Sequence, residues 1–199
     1  MRHIVSVLVL LLVASFAYAA PDRTGKFDAG FNVSGIIPTE DGADNSVYVG
    51  GNLAYGLNEW LAVGFEAGFS EIETESADNV ALGDLNALPV MGDVIFRLPT
   101  ESPVQPYGVV GLGVIFFDFD ESRTLQSLGL KVDVDDAFAV KTGIGIDWFV
   151  NDSWALNLEG SYVFSEADAE LLVLGTSLAT DSIDTDYWMI GGGVKYLFN

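Results

Sequence analysis

The sequence contains no cysteine, and its single histidine is His3. Without Cys there is no disulfide and no cysteine-linked lipid anchor. Without a His beyond residue 3, Ser–His and Cys–His nucleophilic chemistry and His-based metal sites are excluded from the remainder of the chain. Basic residues are scarce: 8 Lys and Arg stand against 29 Asp and Glu, for a net charge of -21. Such a balance disfavours polyanions, nucleic acid included. Beyond the first twenty residues, no apolar run approaches the ~18 residues a spanning helix requires. What is abundant is apolar and conformationally permissive: 50% of residues are hydrophobic, 12% aromatic, and 22 are Gly. Gly is poor in helices and aromatics favour strands, so the bias is towards β structure.

The N-terminus reads as an export signal. Arg2 supplies a positive start, Ile4 to Phe16 form an apolar run interrupted only by Ser6 and Ser15, and Ala17-Tyr18-Ala19 is a small-x-small cleavage site. The expected division is a signal peptide over residues 1–19 and a single barrel domain over residues 20–199, with the mature chain beginning at Ala20.

The dominant feature of the remainder is period-2 alternation. Residues 26–37 put Phe27, Ala29, Phe31, Val33 and Ile37 on one face, with Asp28, Asn32 and Ser34 on the other. The pattern recurs over residues 47–57, 61–70, 88–98, 138–148, 154–164 and 188–198, and more weakly over 107–117, where Gly108, Gly111 and Gly113 blur the faces. Eight segments of about ten residues each suit tilted strands crossing a bilayer. The connections alternate. Short ones surround Asn58, Pro99–Pro106 and Asn151; long ones cover about 38–46, 71–86, 118–136 and 165–186. The expected fold is therefore all-β: an eight-stranded, antiparallel, up-and-down transmembrane β-barrel in the outer membrane, with its long loops outside.

A soluble β-sandwich would also alternate. Two features argue against it. The polar faces are rich in Gly, Ser, Asn and Ala rather than in Lys and Glu. In addition, Trp60, Trp148, Trp154, Tyr162, Trp188 and Tyr196 fall at segment ends, as interfacial aromatic girdles do.

Charge is sorted by position. Of the 29 acidic residues, 20 fall in the four long connections, where Arg123 and Lys131 are the only bases. This acidic rim can attract divalent cations weakly, although no run matches an EF-hand loop. A second set falls on the polar faces of strands: Glu66, Asp93, Arg97, Lys141, Asp147, Glu159 and Lys195, with Lys26 and Asp28 near the first strand's start. An eight-stranded barrel has room inside only for side chains, and an unpaired buried charge is costly. These residues are expected to pair across the lumen, either as a structural plug or as a gate; the sequence leaves both open, and the pairings too.

The last strand, with Gly193, Tyr196 and Phe198, resembles the C-terminal signal by which outer-membrane barrels are recognised by the barrel-assembly machinery, although Asn199 follows the usual terminal aromatic. The stretch Pro106-Tyr107-Gly108-Val109-Val110-Gly111-Leu112-Gly113, with Phe116-Phe117-Asp118 beyond it, resembles a strand opening of the OmpW family. So do Gly143 to Trp148 with the turn Asn151 to Asn157, and the final entry Ile183 to Gly191. The similarity covers about residues 86–198 and is shared in part with other eight-stranded barrels of the OmpA and OmpX type. It implies a narrow apolar passage for small hydrophobic molecules that opens sideways into the membrane. The expectations are then a non-enzymatic barrel without cofactor, in contact with outer-membrane lipids, serving as a conduit for small hydrophobic solutes. The alternative is a barrel with a side-chain-filled lumen that displays acidic loops for adhesion or envelope stability.

Overall fold

The computed structural model describes residues 19–39, 45–75, 81–121, 130–173 and 176–198. Ten strands follow in order: β1 (Phe27–Pro38), β2 (Ser46–Gly56), β3 (Leu61–Glu75), β4 (Ala81–Arg97), β5 (Val104–Glu121), β6 (Leu130–Val134), β7 (Ala137–Phe149), β8 (Trp154–Val173), β9 (Thr176–Asp184) and β10 (Tyr187–Leu197). Eight of them build the wall, in the order β1-β2-β3-β4-β5-β7-β8-β10, each antiparallel to its neighbours. The β10–β1 pairing, from Asp28↔Leu197 to Pro38↔Tyr187, closes the ring. Closure gives every strand two partners, the condition for placing a sheet in hydrocarbon. This is the eight-stranded barrel that the alternation predicts.

The faces also fall as the sequence places them. On β8, Trp154, Leu156, Leu158 and Phe164 point outward, while Ala155, Ser161, Val163 and Ser165 are buried. The large apolar residues of the outer face are openly exposed, up to 75% for Ile144. In a sandwich these faces would bury one another. Here nothing among the described residues covers them, which suits a face turned to lipid. Covering a Leu or Phe with hydrocarbon stabilises by roughly 1.5–3 kcal/mol each, which makes the outer face the main favourable contribution to insertion.

The short connections are built by side chains. Asn58 Oδ1 accepts from the N–H groups of Trp60 and Leu61 at 3.0 and 2.8 Å. Asn151 Oδ1 does the same for Ser153 and Trp154, both at 2.9 Å. A short polar side chain that bonds its own backbone is what a tight turn needs.

The long connections depart from expectation. Strands β3, β5 and β8 do not stop after about ten residues but continue to Glu75, Glu121 and Val173, and β4 begins at Ala81. Strands β6 and β9 both pair with the distal part of β8. Much of what reads as acidic loop is thus an extended β ribbon standing beyond the wall. The cause is chemical: outside the bilayer neither face need be apolar, so the hydrophobic alternation disappears while the backbone ladder persists. Leu130 opens β6, and residues 122–129 before it lie outside the described residues.

Candidate functional site: the barrel lumen

The lumen is layered, and its lowest layer begins with a residue before the first strand. Asp22 accepts the Thr24 N–H at 2.8 Å, which holds its carboxyl below the ordinary value. This tight turn sends Arg23 up into the barrel, where it is only 3% exposed. The Arg23 backbone crosses directly over Gly56, so a side chain at position 56 would collide with it. The Gly25 N–H donates to the Gly56 carbonyl at 2.8 Å and the Ala20 N–H to the Ser102 carbonyl at 2.9 Å, tying the segment across the mouth.

Arg23 then organises the short-turn end. It donates to Asp147 Oδ2 at 2.6 Å, Asp28 Oδ2 at 2.7 Å and Gln105 Oε1 at 3.2 Å. Arg97 also donates to Asp28 Oδ2, at 2.8 Å, and Lys195 Nζ stands 2.9 Å from Asp147 Oδ1. Asn157 donates to the same Asp147 oxygen at 2.9 Å. Above this lies a second group. Lys141 Nζ meets Glu66 Oε2 at 2.6 Å and Asp93 Oδ2 at 3.1 Å. Tyr107 links the two levels: its hydroxyl donates to Glu159 at 2.6 Å and accepts from Asn157 at 2.8 Å, and Lys195 Nζ sits 4.4 Å above its ring. Four cations (Arg23, Arg97, Lys141, Lys195) therefore face five carboxylates (Asp28, Glu66, Asp93, Asp147, Glu159), a balance within one charge.

The structure places Glu66, Asp93, Arg97, Lys141, Asp147, Glu159 and Lys195, with Asp28, in two linked clusters inside the lumen, while Lys26 stands half-buried just before β1. Arg23 is the one that sequence reasoning misses. It precedes the first strand, where no periodicity assigns it a face. The only available signal is that a base stands close to the expected cleavage site in a chain with few bases.

Glycines make the packing possible. The polar faces carry them where a neighbour lies flat against the wall: Tyr48 over Gly50 and Gly68, Tyr107 over Gly145, and Asp93 with Lys141 over Gly111. The space left beside Asp93, Tyr107, Lys141, Glu159 and Lys195 has room for little more than about one water molecule. A second gap beside Asn32, Ser34 and Ser161 is smaller still, and Asn32 Oδ1 and Ser161 Oγ point into it without a protein partner. Among the described residues, the lower lumen is a filled plug.

Above the plug the interior turns apolar. Ile36, Tyr48 and Met189 cluster together, with Tyr187 packed against them. Ala87, Met91, Ile115, Ala139 and Val163 form a second cluster, joined by Phe117 and again by Tyr187.

The wall beside this apolar layer has a gap in its ladder. Strands β3 and β4 pair from Leu61↔Phe96 to Ala67↔Val90 and resume at Ser70↔Ala87, leaving Gly68-Phe69 and Leu88-Pro89 unpaired with each other. On the other side of β4 the ladder is unbroken, through Leu88↔Phe116 and Pro89↔Ile115. Proline has no N–H to donate and is ordinarily kept out of central strands. Pro89 is in a central strand here, with its ring turned into the lumen.

The aromatic residues singled out from sequence sit at two levels. Trp60, Trp148, Trp154 and Tyr196 lie at the short-turn end, with the Trp154 and Tyr196 rings 4.9 Å apart. Tyr162 and Trp188 lie at the other end, their rings 4.8 Å apart. Along β8, Trp154 to Tyr162 spans about 26 Å of strand, or about 20 Å of depth at the usual tilt, close to the height of an outer-membrane apolar band. Of the candidate assembly signal, Tyr196 and Phe198 point outward with rings 5.0 Å apart, and the Phe198 N–H donates to Phe27 at the seam. Gly193 lies against the β1 backbone. Among the described residues, no three acidic side chains gather as a metal site would need.

Comparison with known proteins places this geometry. The profile of the family described as the outer membrane protein beta-barrel domain matches residues 6–198. The chain is 25% identical over 221 positions to outer membrane protein W of Vibrio cholerae, covering 98% of this chain and 100% of that one. In structure it is similar to the outer membrane protein OprG of Pseudomonas aeruginosa, with a TM-score of 0.77 at 18% identity, covering 90% of this chain and 98% of OprG. It is also similar to the outer membrane protein AlkL, with a TM-score of 0.68 at 22% identity, covering 91% of this chain and 93% of AlkL.

Proposed function

Starting from the premise that this chain belongs to the outer membrane protein beta-barrel domain family and resides in the outer membrane, we propose that it takes up small apolar molecules from outside and releases them sideways into the bilayer. The observation that carries this reading is the unpaired stretch Gly68-Phe69/Leu88-Pro89, level with an apolar inner layer and above a charged plug. A greasy solute entering from the long-strand end meets the side chains of Ile36 and Met189 and the Tyr187 ring, a mostly apolar surface. Below, it meets ion pairs and almost no free space. Entering that plug would mean separating buried charges, which costs several kcal/mol. The interrupted ladder is the cheaper exit, since Pro89 has no N–H to hold β4 to its neighbour there.

The test restores what proline removes. Pro89→Ala supplies the missing N–H and lets the β3–β4 ladder close. One added hydrogen bond is worth about 1 kcal/mol net, so the open fraction should fall about fivefold. Uptake of the apolar fluorophore N-phenyl-1-naphthylamine, by cells carrying equal amounts of folded protein, should fall with it. Unchanged uptake would remove the lateral route. The second reading, a barrel that displays its surface, is favoured by the β6-β8-β9 ribbon beyond the wall; it predicts no uptake above that of cells lacking the protein. Contacts with membrane lipid, with the assembly machinery through β10, and weak attraction of divalent cations to the acidic rim belong to the same proposal.

A further inference from the structure

We infer that Tyr48 is the inner shutter of the wall gap, held closed by Glu66, and that it governs how readily apolar solutes pass; this rests on the lateral route proposed above. Tyr48 sits on the inner face of β2, opposite Ser70, and the next inward pair along is Gly50↔Gly68. The phenol ring lies down over that pair. A Cβ built on either glycine runs into its ring atoms, so only a Gly-Gly pair lets the ring rest on the wall. Gly68 is also the first residue of β3 to lose its β4 partner. The ring therefore covers the inner side of the place where the ladder is broken.

The ring is held at its far end. Its hydroxyl donates to Glu66 Oε1 at 3.0 Å, while Glu66 Oε2 is fixed by Lys141 from across the lumen at 2.6 Å. One hydrogen bond thus ties the shutter to the top of the plug. Around the ring, Ile36 and Met189 with the Tyr187 ring packed against them belong to the layer a solute would occupy. Tyr48 is 2% exposed and its ring lies on Gly68, so a solute in that layer reaches the Gly68 side of the broken ladder only by displacing the ring. Displacement breaks one hydrogen bond and leaves the ion pair beneath intact. That is the behaviour expected of a shutter rather than of a plug member, whose movement would separate charges.

Tyr48→Phe removes the tie and keeps the ring, so its test is not confounded by a hole in the core. A hydrogen bond to a charged acceptor is worth enough that its loss should raise the open fraction about tenfold. Uptake of N-phenyl-1-naphthylamine should rise correspondingly, with the heat-modifiable gel migration of the folded barrel unchanged. In the double variant Tyr48→Phe/Pro89→Ala the gain should disappear, because no gap remains to be covered. Wild-type uptake in Tyr48→Phe, with reduced uptake in Pro89→Ala, would overturn the shutter and spare the lateral route. No change in either single variant would overturn both. A gain in Tyr48→Phe that survives Pro89→Ala would place any gating by Tyr48 elsewhere and also refute the inference.

Discussion

Replacing Asp147 by Ala should lower the barrel's unfolding free energy in lipid by about 3–5 kcal/mol, the usual cost of leaving a buried charge without its partner. Asp147 is 1% exposed and its two oxygens accept from Arg23, Lys195 and Asn157. Without it, Arg23, Arg97 and Lys195 are left at the short-turn end with Asp28 as the nearest counter-charge, already shared by both arginines. Urea titration of the barrel in lipid vesicles, followed by tryptophan fluorescence, measures the loss. Adding Lys195→Met to Asp147→Ala should recover part of it, because the second change removes one orphaned cation. A double variant less stable than the single one would mean that the network is not organised around charge balance.

An arginine in the middle of the outer face should cost nearly as much, for the opposite reason. Leu158 is 55% exposed and lies midway along β8 between the Trp154 and Tyr162 levels. Leu158→Arg sets a cation among acyl chains at the midplane, at about 2–4 kcal/mol, whereas the same change near an interface costs about 0–1 kcal/mol. Phe198, at the short-turn rim, is the matching control. The depth dependence is the informative part. In a water-soluble fold, Leu158 would pack into a core and Phe198→Arg would carry no systematic discount.

These expectations rest on features that were unequally legible. The assignment of faces could be read directly, because a strand's side chains alternate strictly and one bilayer-facing side must be apolar throughout. Residues such as Leu156, Leu158 and Glu159 declare their sides without any knowledge of neighbours. The pairings within the lumen could not be read. Whether Lys141 meets Glu66 or Glu159 depends on the inter-strand stagger, which places Glu66 and Lys141 within reach across the barrel although they are 75 positions apart in sequence. Strand β5 was blurred for a related reason. Gly111 and Gly113 leave its inner face without side chains where neighbouring strands crowd it, so alternation weakens although the geometry does not.

Two other features escaped because each breaks a local rule. Pro89 looks like one more inward residue in an alternating run, and only the missing Gly68-Phe69 partners reveal that it interrupts the wall. Tyr48 reads as an aromatic on the polar side of β2, with nothing to show that Gly50 and Gly68 form its seat. Such exceptions to regular sheet chemistry are expected where a wall must do more than stand.

The claim beneath all of this is that the apolar side of each strand meets lipid while the charged side is enclosed. The absence of native cysteine allows a direct test: single cysteines introduced one at a time along residues 154–165 of β8 in the mature chain, spin-labelled and reconstituted in vesicles. Collision with dissolved oxygen should alternate at period 2, high at 154, 156, 158, 162 and 164 and low at 155, 157, 161, 163 and 165. A flat profile, or shielding of 156, 158 and 164 in protein that stays folded and monomeric in lipid-free buffer, would contradict it.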